Sequence, residues 1–199
     1  MVAVTMVVVS GAALALTRDC KALTSCFGSK GSDTLRGSRG ADFMYGLAGN
    51  DTMKGNDTWD EMVGGKGSDR IYGMRGGDSL YGDKGADVIY GGRGNEAIIW
   101  GGELNVYAAN AYPDNSDDRV YGGSGNDTIT AGRASGGVDR VFGDDGDDHI
   151  DAEQTDDGPI LDYAVTKEIV DCGAGEDTVY YDPGLDVLEN CENAFPNRD

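Results

Sequence analysis

The chain has 199 residues and a formal net charge of −20, which argues against a nucleic-acid partner or an anionic membrane surface. Thirty-three glycines beside four prolines fit neither collagen nor a disordered linker, because the glycines fall on a nine-residue period with apolar residues between them. A single repeating architecture at this length argues for one elongated domain.

The chain opens with MVAVTMVVVSGAALA, an apolar run ending in the triplet Ala13, Leu14, Ala15. Residues 1–15 therefore read as a signal peptide, although no Lys or Arg precedes the run. The run is too short for a comfortable membrane span, so no integral span is expected. The four cysteines fit export into an oxidising space, and the absence of a CxxC spacing disfavours zinc. Residues 16–27 are expected to form an N-terminal cap in which Cys20 and Cys26 close a small loop.

From Gly28 onward the chain counts in nines. Motifs begin at Gly28, Gly37, Gly46, Gly55, Gly64, Gly73, Gly82 and Gly91 without an insertion. The fourth residue is again glycine at Gly31, Gly40, Gly49, Gly67, Gly76 and Gly85. The sixth is acidic: Asp33, Asp42, Asp51, Asp60, Asp69, Asp78, Asp87 and Glu96. The eighth is apolar: Leu35, Met44, Met53, Met62, Ile71, Leu80, Ile89 and Ile98. The motif GNDTWDEMV from Gly55 lacks the second glycine and reads as the weakest turn, while the longer Glu96 gives a looser position.

After Trp100 an insertion near 104–116 interrupts the register, which resumes with Asp118 and Val120. GGSGNDTIT from Gly122 brings Asp127 and Ile129, and a short insertion within 131–142 precedes Asp139 and Val141. GDDGDDHID from Gly143 brings Asp148 and Ile150. A second long insertion near 153–167 leads to Glu168 and Val170, then CGAGEDTVY and YDPGLDVLE supply Asp177, Val179, Asp186 and Leu188. The count is about fifteen motifs over 28–189, or about seven coils, with 190–199 as a polar C-terminal cap.

The chemistry of one repeat explains the pattern. Glycine at the first and fourth places permits a positive φ and a sharp turn that exposes carbonyls. The sixth residue adds a carboxylate beside them, an all-oxygen set suited to a hard cation such as Ca²⁺. The last three residues make a minimal strand whose eighth side chain alone points inward. Two nonapeptides then form one coil, and successive coils stack as parallel strands roughly 4.8 Å apart. Asp69 is expected over Asp87 and Asp60 over Asp78, in columns that repel themselves unless divalent ions lie between the turns. Cys172 and Cys191, one coil plus one residue apart, are expected to meet as a disulfide.

These nonapeptides resemble the RTX, or haemolysin-type, calcium-binding repeats with the signature GGxGxDxUx. The resemblance implies an all-β, right-handed parallel β-roll holding on the order of ten calcium ions, each between the acidic side chains and glycine-turn carbonyls of neighbouring coils. Sites interrupted by insertions, near Asp118, Asp139 and Glu168, are expected to be less regular. Catalytic and pore-forming domains of the family typically lie outside the repeats, so its toxin and protease activities do not carry over.

The remaining features admit several uses. The ninth-position aromatics Tyr45, Tyr72, Tyr81, Tyr90, Tyr121 and Tyr180 point outward, as cross-strand packing or, less favoured, as a carbohydrate-stacking strip. An ice-binding face would need a regular array, whereas the seventh positions run Thr34, Phe43, Thr52, Glu61, Arg70, Ser79, Val88 and Ala97. His149, the only histidine, has no nucleophile at an interpretable spacing, so no enzyme is expected. The expected product is a secreted calcium-binding β-roll that folds on calcium and serves a structural or adhesive role. Alternatives are a polysaccharide- or ice-binding module, or a non-catalytic accessory or remnant of an RTX-type enzyme or toxin. The two long insertions are where contact with an extracellular or cell-envelope polysaccharide would be expected.

Overall fold

A computed structural model describes residues 15–99, 116–130, 137–152 and 167–196. The expected signal peptide and the insertions at 104–116 and 153–167 lie mainly outside these residues, as does half of 131–142. Among the described residues the chain forms eighteen strands and no helix. The first nine are β1 (Thr17–Asp19), β2 (Ser25–Phe27), β3 (Thr34–Arg36), β4 (Phe43–Ala48), β5 (Thr52–Asn56), β6 (Glu61–Lys66), β7 (Arg70–Arg75), β8 (Ser79–Lys84) and β9 (Val88–Arg93). There follow β10 (Ala97–Ile99), β11 (Arg119–Ser124), β12 (Thr128–Thr130), β13 (Arg140–Asp145), β14 (His149–Asp151), β15 (Ile169–Asp171), β16 (Thr178–Tyr181), β17 (Val187–Glu189) and β18 (Asn193–Pro196).

Odd-numbered strands form one nine-stranded sheet and even-numbered strands the other, each in chain order. All neighbours are parallel, as in Ile71↔Ile89 and Met62↔Leu80. Because only the eighth side chain of each repeat turns inward, the space between the sheets is a single apolar spine. Leu35, Met44, Met53, Met62, Ile71, Leu80, Ile89, Ile98, Val120, Ile129, Val141, Ile150, Val170 and Val179 are all fully buried. The long insertions leave this register intact: Ile89 pairs with Val120, and Val141 with Val170.

The roll is longer than the expected seven coils, with nine strands in each sheet. The fifteen counted motifs become β3 to β17, and three further strands come from the stretches expected to cap the ends. Arg18 pairs with Leu35, Cys26 with Met44, and Ala194 with Val179, so each end segment enters the inward column without the glycines or aspartates of a motif. Both disulfides form, with Cα separations of 5.5 Å for Cys20–Cys26 and 5.1 Å for Cys172–Cys191. Arg18 lies across the N-terminal end and donates from Nη1 to the Phe27 carbonyl at 2.8 Å.

The glycines divide their work differently from the expectation. Fourth-position Gly49, Gly67, Gly76 and Gly85 do take positive φ, from +103° to +139°. First-position Gly28, Gly46, Gly64 and Gly73 do not, and their constraint is steric. A Cβ on Gly28 would lie 2.5 Å from the Gly46 carbonyl oxygen and 2.7 Å from Asp33 Oδ2. The other left-handed position is the second, held by Leu47, Asn56, Met74 and Asp83 at φ of +67° to +86°. Thr58 replaces the fourth glycine of the weak turn and is forced to φ +72°.

Candidate metal centre

Each sixth-position carboxylate ends a glycine turn and immediately precedes a strand, so the parallel stacking of strands also stacks the carboxylates. Two columns result. Asp33, Asp51, Asp69, Asp87, Asp118 and Asp139 precede strands of the odd sheet, and Asp42, Asp60, Asp78, Glu96, Asp127, Asp148 and Asp177 those of the even sheet. All are at least 98% buried. Thirteen acidic side chains have no other reason to leave water, since an isolated buried carboxylate is strongly disfavoured.

Except in Glu96, one oxygen of each carboxylate serves the main chain. The Asp33 N–H donates to Asp51 Oδ1 at 2.7 Å, Asp51 N–H to Asp69 at 2.7 Å, and Asp69 N–H to Asp87 at 2.8 Å. The second column repeats this from Asp42 to Asp60 at 2.8 Å, Asp60 to Asp78 at 2.9 Å, Glu96 to Asp127 at 2.9 Å, and Asp127 to Asp148 at 2.8 Å. The bond also spans the insertions, from Asp87 to Asp118 at 2.6 Å and from Asp148 to Asp177 at 2.8 Å. Asp186 continues the first column by accepting from the Glu168 N–H at 3.0 Å.

The other oxygen is the informative one. Oδ2 of Asp51, Asp60, Asp69, Asp78, Asp127, Asp148 and Asp177 is buried with no hydrogen-bond partner. In all of these but Asp177 it points at the first glycine of its own turn, next to a carbonyl of the following coil. A Cβ on Gly122 would meet Asp127 Oδ2 at 2.5 Å and the Gly143 carbonyl oxygen at 2.6 Å. Anionic and carbonyl oxygens thus converge where a side chain is excluded, a donor set that fits a hard, oxygen-seeking cation and offers nothing to a soft one.

Burial is the leading cause of high proton affinity along both columns. It pushes Asp51 and Asp78 up to about 6 and Asp60, Asp69 and Asp148 up to about 7, against the opposing pull of the main-chain N–H. Glu96 is raised furthest, by burial and by Asp127 beside it. A divalent cation would reverse this balance by supplying the missing positive charge.

Two acidic residues beyond the expected set lie beside the columns. Glu192 accepts from the Asp177 N–H through Oε2 at 3.3 Å, and its place two residues before Ala194 is the signal that locates it. Asp182 is buried and donates its N–H to Asp186 Oδ2 at 2.7 Å. A parallel ladder at the fifth position also went unread: Asn50 Oδ1 accepts from Ser68 N–H at 3.0 Å, and Asn126 Oδ1 from Asp147 N–H at 3.2 Å. It is exposed and ties turns together rather than facing the buried oxygens. His149 packs edge-on against Tyr180 at 5.5 Å, a surface contact.

Two parallel sheets joined by glycine turns, with a buried carboxylate before each strand from β3 to β16, define a calcium-binding β-roll. The family model for the RTX calcium-binding nonapeptide repeat matches the chain in four copies, over residues 27–58, 63–95, 112–135 and 133–158. The chain belongs to that family, and calcium is the ion its repeats bind. No curated protein and no solved structure matches the chain.

Proposed function

We propose that calcium folds this chain, and that the folded roll works outside the cell as a non-catalytic structural and adhesive module. The observation that carries the reading is the row of buried carboxylate oxygens without partners, flanked by carbonyls of the next coil. One inward apolar residue per nine is a thin core against roughly 1–2 kcal/mol of backbone entropy per ordered residue, so metal binding becomes folding energy. Asp33, Asp42, Asp51, Asp60, Asp69, Asp78, Asp87, Glu96, Asp118, Asp127, Asp139, Asp148, Asp177 and Asp186 supply the carboxylates in this reading, with the glycine-turn carbonyls completing each site. The two disulfides and the N-terminal apolar run support an oxidising, extracellular location. An adhesive role accords with a repeat interrupted by two long insertions.

The test is far-UV circular dichroism of the reduced-salt protein with calcium and after chelation at neutral pH. A β spectrum that collapses on chelation and returns with calcium supports the reading. A spectrum unchanged by removal of calcium defeats it.

The outward aromatics favour packing over sugar stacking. Tyr72, Tyr90, Tyr121 and Phe142 form one stack with centroids 4.7–5.1 Å apart and planes within 8° of parallel. Their ring faces are spent on each other, and Lys54 Nζ covers the free end at 5.6 Å from the Tyr72 centroid.

A further inference from the structure

A groove of about 760 Å³ runs along the odd sheet, where Tyr72 and Tyr90 meet Arg39, Arg75 and Arg93 from the adjoining turns. In a chain of net charge −20 this concentration of arginine is exceptional. Arg75 and Arg93 are register partners on β7 and β9, so their guanidinium groups repeat one coil apart, as do the two tyrosines. Arg36 and Lys54 extend the basic surface on β3 and β5. The only acidic residue lining the groove is Asp57, 3.7 Å from Arg75, and both side chains are well exposed. An exposed pair of this kind is weak and easily exchanged. Arg39 and Arg93 have no ion-pair partner among the described residues.

We propose that this groove binds a linear acidic polysaccharide of the polyuronate class, laid along the axis of the roll. Coils repeat roughly every 4.8 Å, close to the length of one pyranose, so two successive carboxylates of the polymer meet Arg75 and Arg93, with Arg39 two coils before Arg75. Guanidinium groups suit this because they hold carboxylates through paired, charge-assisted hydrogen bonds. The stacked tyrosines contribute edges and phenol hydroxyls rather than faces, since both faces of Tyr90 are covered. A duplex or a vesicle would bring its broad anionic face against the surrounding acidic surface, whereas a single thin chain meets only the groove. The inference rests on the adhesive reading above and names its partner.

Isothermal titration in saturating calcium tests it, using an oligogalacturonate too short to gel and the same oligomer methyl-esterified. The acid should bind and the ester should not. The double variant Arg75→Gln with Arg93→Gln should weaken binding about tenfold or more. Lys30→Gln with Lys66→Gln, an equal charge change on the turns of the even sheet, should leave it within about twofold. Circular dichroism of each variant separates loss of the calcium-bound fold from loss of binding. A native spectrum with no binding of the acid overturns the proposal, as does an equal loss in both double variants. Equal binding of the ester, or tighter binding of a DNA duplex or a phosphatidylglycerol vesicle, overturns it too.

Discussion

The main-chain N–H of Asp69 donates to Oδ1 of Asp87, 2.8 Å away and one coil further along the roll. Asp69 in turn accepts from the Asp51 N–H at 2.7 Å through Oδ1, while its Oδ2 is buried without a hydrogen-bond partner. Structure and charge are thereby carried by different atoms of the same side chain.

Substitutions at Asp69 separate those two duties. Asp69→Asn keeps an oxygen acceptor for Asp51 and removes the charge, so the calcium concentration needed to fold should rise while stability at pH 5 in chelator holds. Asp69→Ala also strands the Asp51 N–H, a loss of about 1–3 kcal/mol under both conditions. Calcium titrations followed by circular dichroism, with urea melts at pH 5, read the difference.

The pH dependence without metal should run opposite to that of most acidic proteins. Burial raises Asp51, Asp60, Asp69, Asp78 and Asp148 to between about 6 and 7 in the folded chain, whereas an unfolded Asp titrates at about 3.9. Groups raised by folding favour the fold below their unfolded pKa and lose that contribution as pH climbs through the folded one. In chelator the β signal should therefore be strongest near pH 4 and fade between about pH 4 and 7. Stability that increases with pH in chelator would contradict this assignment.

First and second turn positions should respond in opposite directions. Gly122→Ala places a methyl against Asp127 Oδ2 and the Gly143 carbonyl and should cost about 1–3 kcal/mol. Leu47→Gly relieves φ +79° at an exposed side chain and should stabilise by up to about 1 kcal/mol, after the extra entropy of glycine is deducted. Thermal melts in saturating calcium measure both.

Reduction should be felt mainly at the C-terminal end. Cys172–Cys191 closes a separation of 19 residues and Cys20–Cys26 one of 6. The longer loop corresponds to about 3 kcal/mol. Cys191→Ser should lower the melting temperature more than Cys20→Ser when each is compared with the oxidised parent.

The fold was legible wherever glycine, aspartate and an aliphatic residue recur together, because each fixes a different part of one coil. That is why all fifteen counted motifs coincide with strands and the inward column runs unbroken across Ile89, Val120 and Val141. The end coils were hidden because Arg18, Cys26 and Ala194 occupy the inward register by stacking on a neighbour, with no turn signature of their own. The first glycine was misread for a related reason. Its requirement comes from the carbonyl of the next coil, a contact between residues eighteen apart that no single motif contains. The arginine groove was invisible because its members come from separate repeats and share no position with the tyrosines.

Every aspartate clasp faces the same way, with the donor on the earlier coil and the acceptor on the later one. The molecule consequently has a head and a tail that differ in hydrogen-bonding sense, like a zipper whose teeth all lean in one direction. Two such rods cannot join head to head through these bonds, and a chain paid out from its N-terminus presents a waiting donor to each new carboxylate as it arrives.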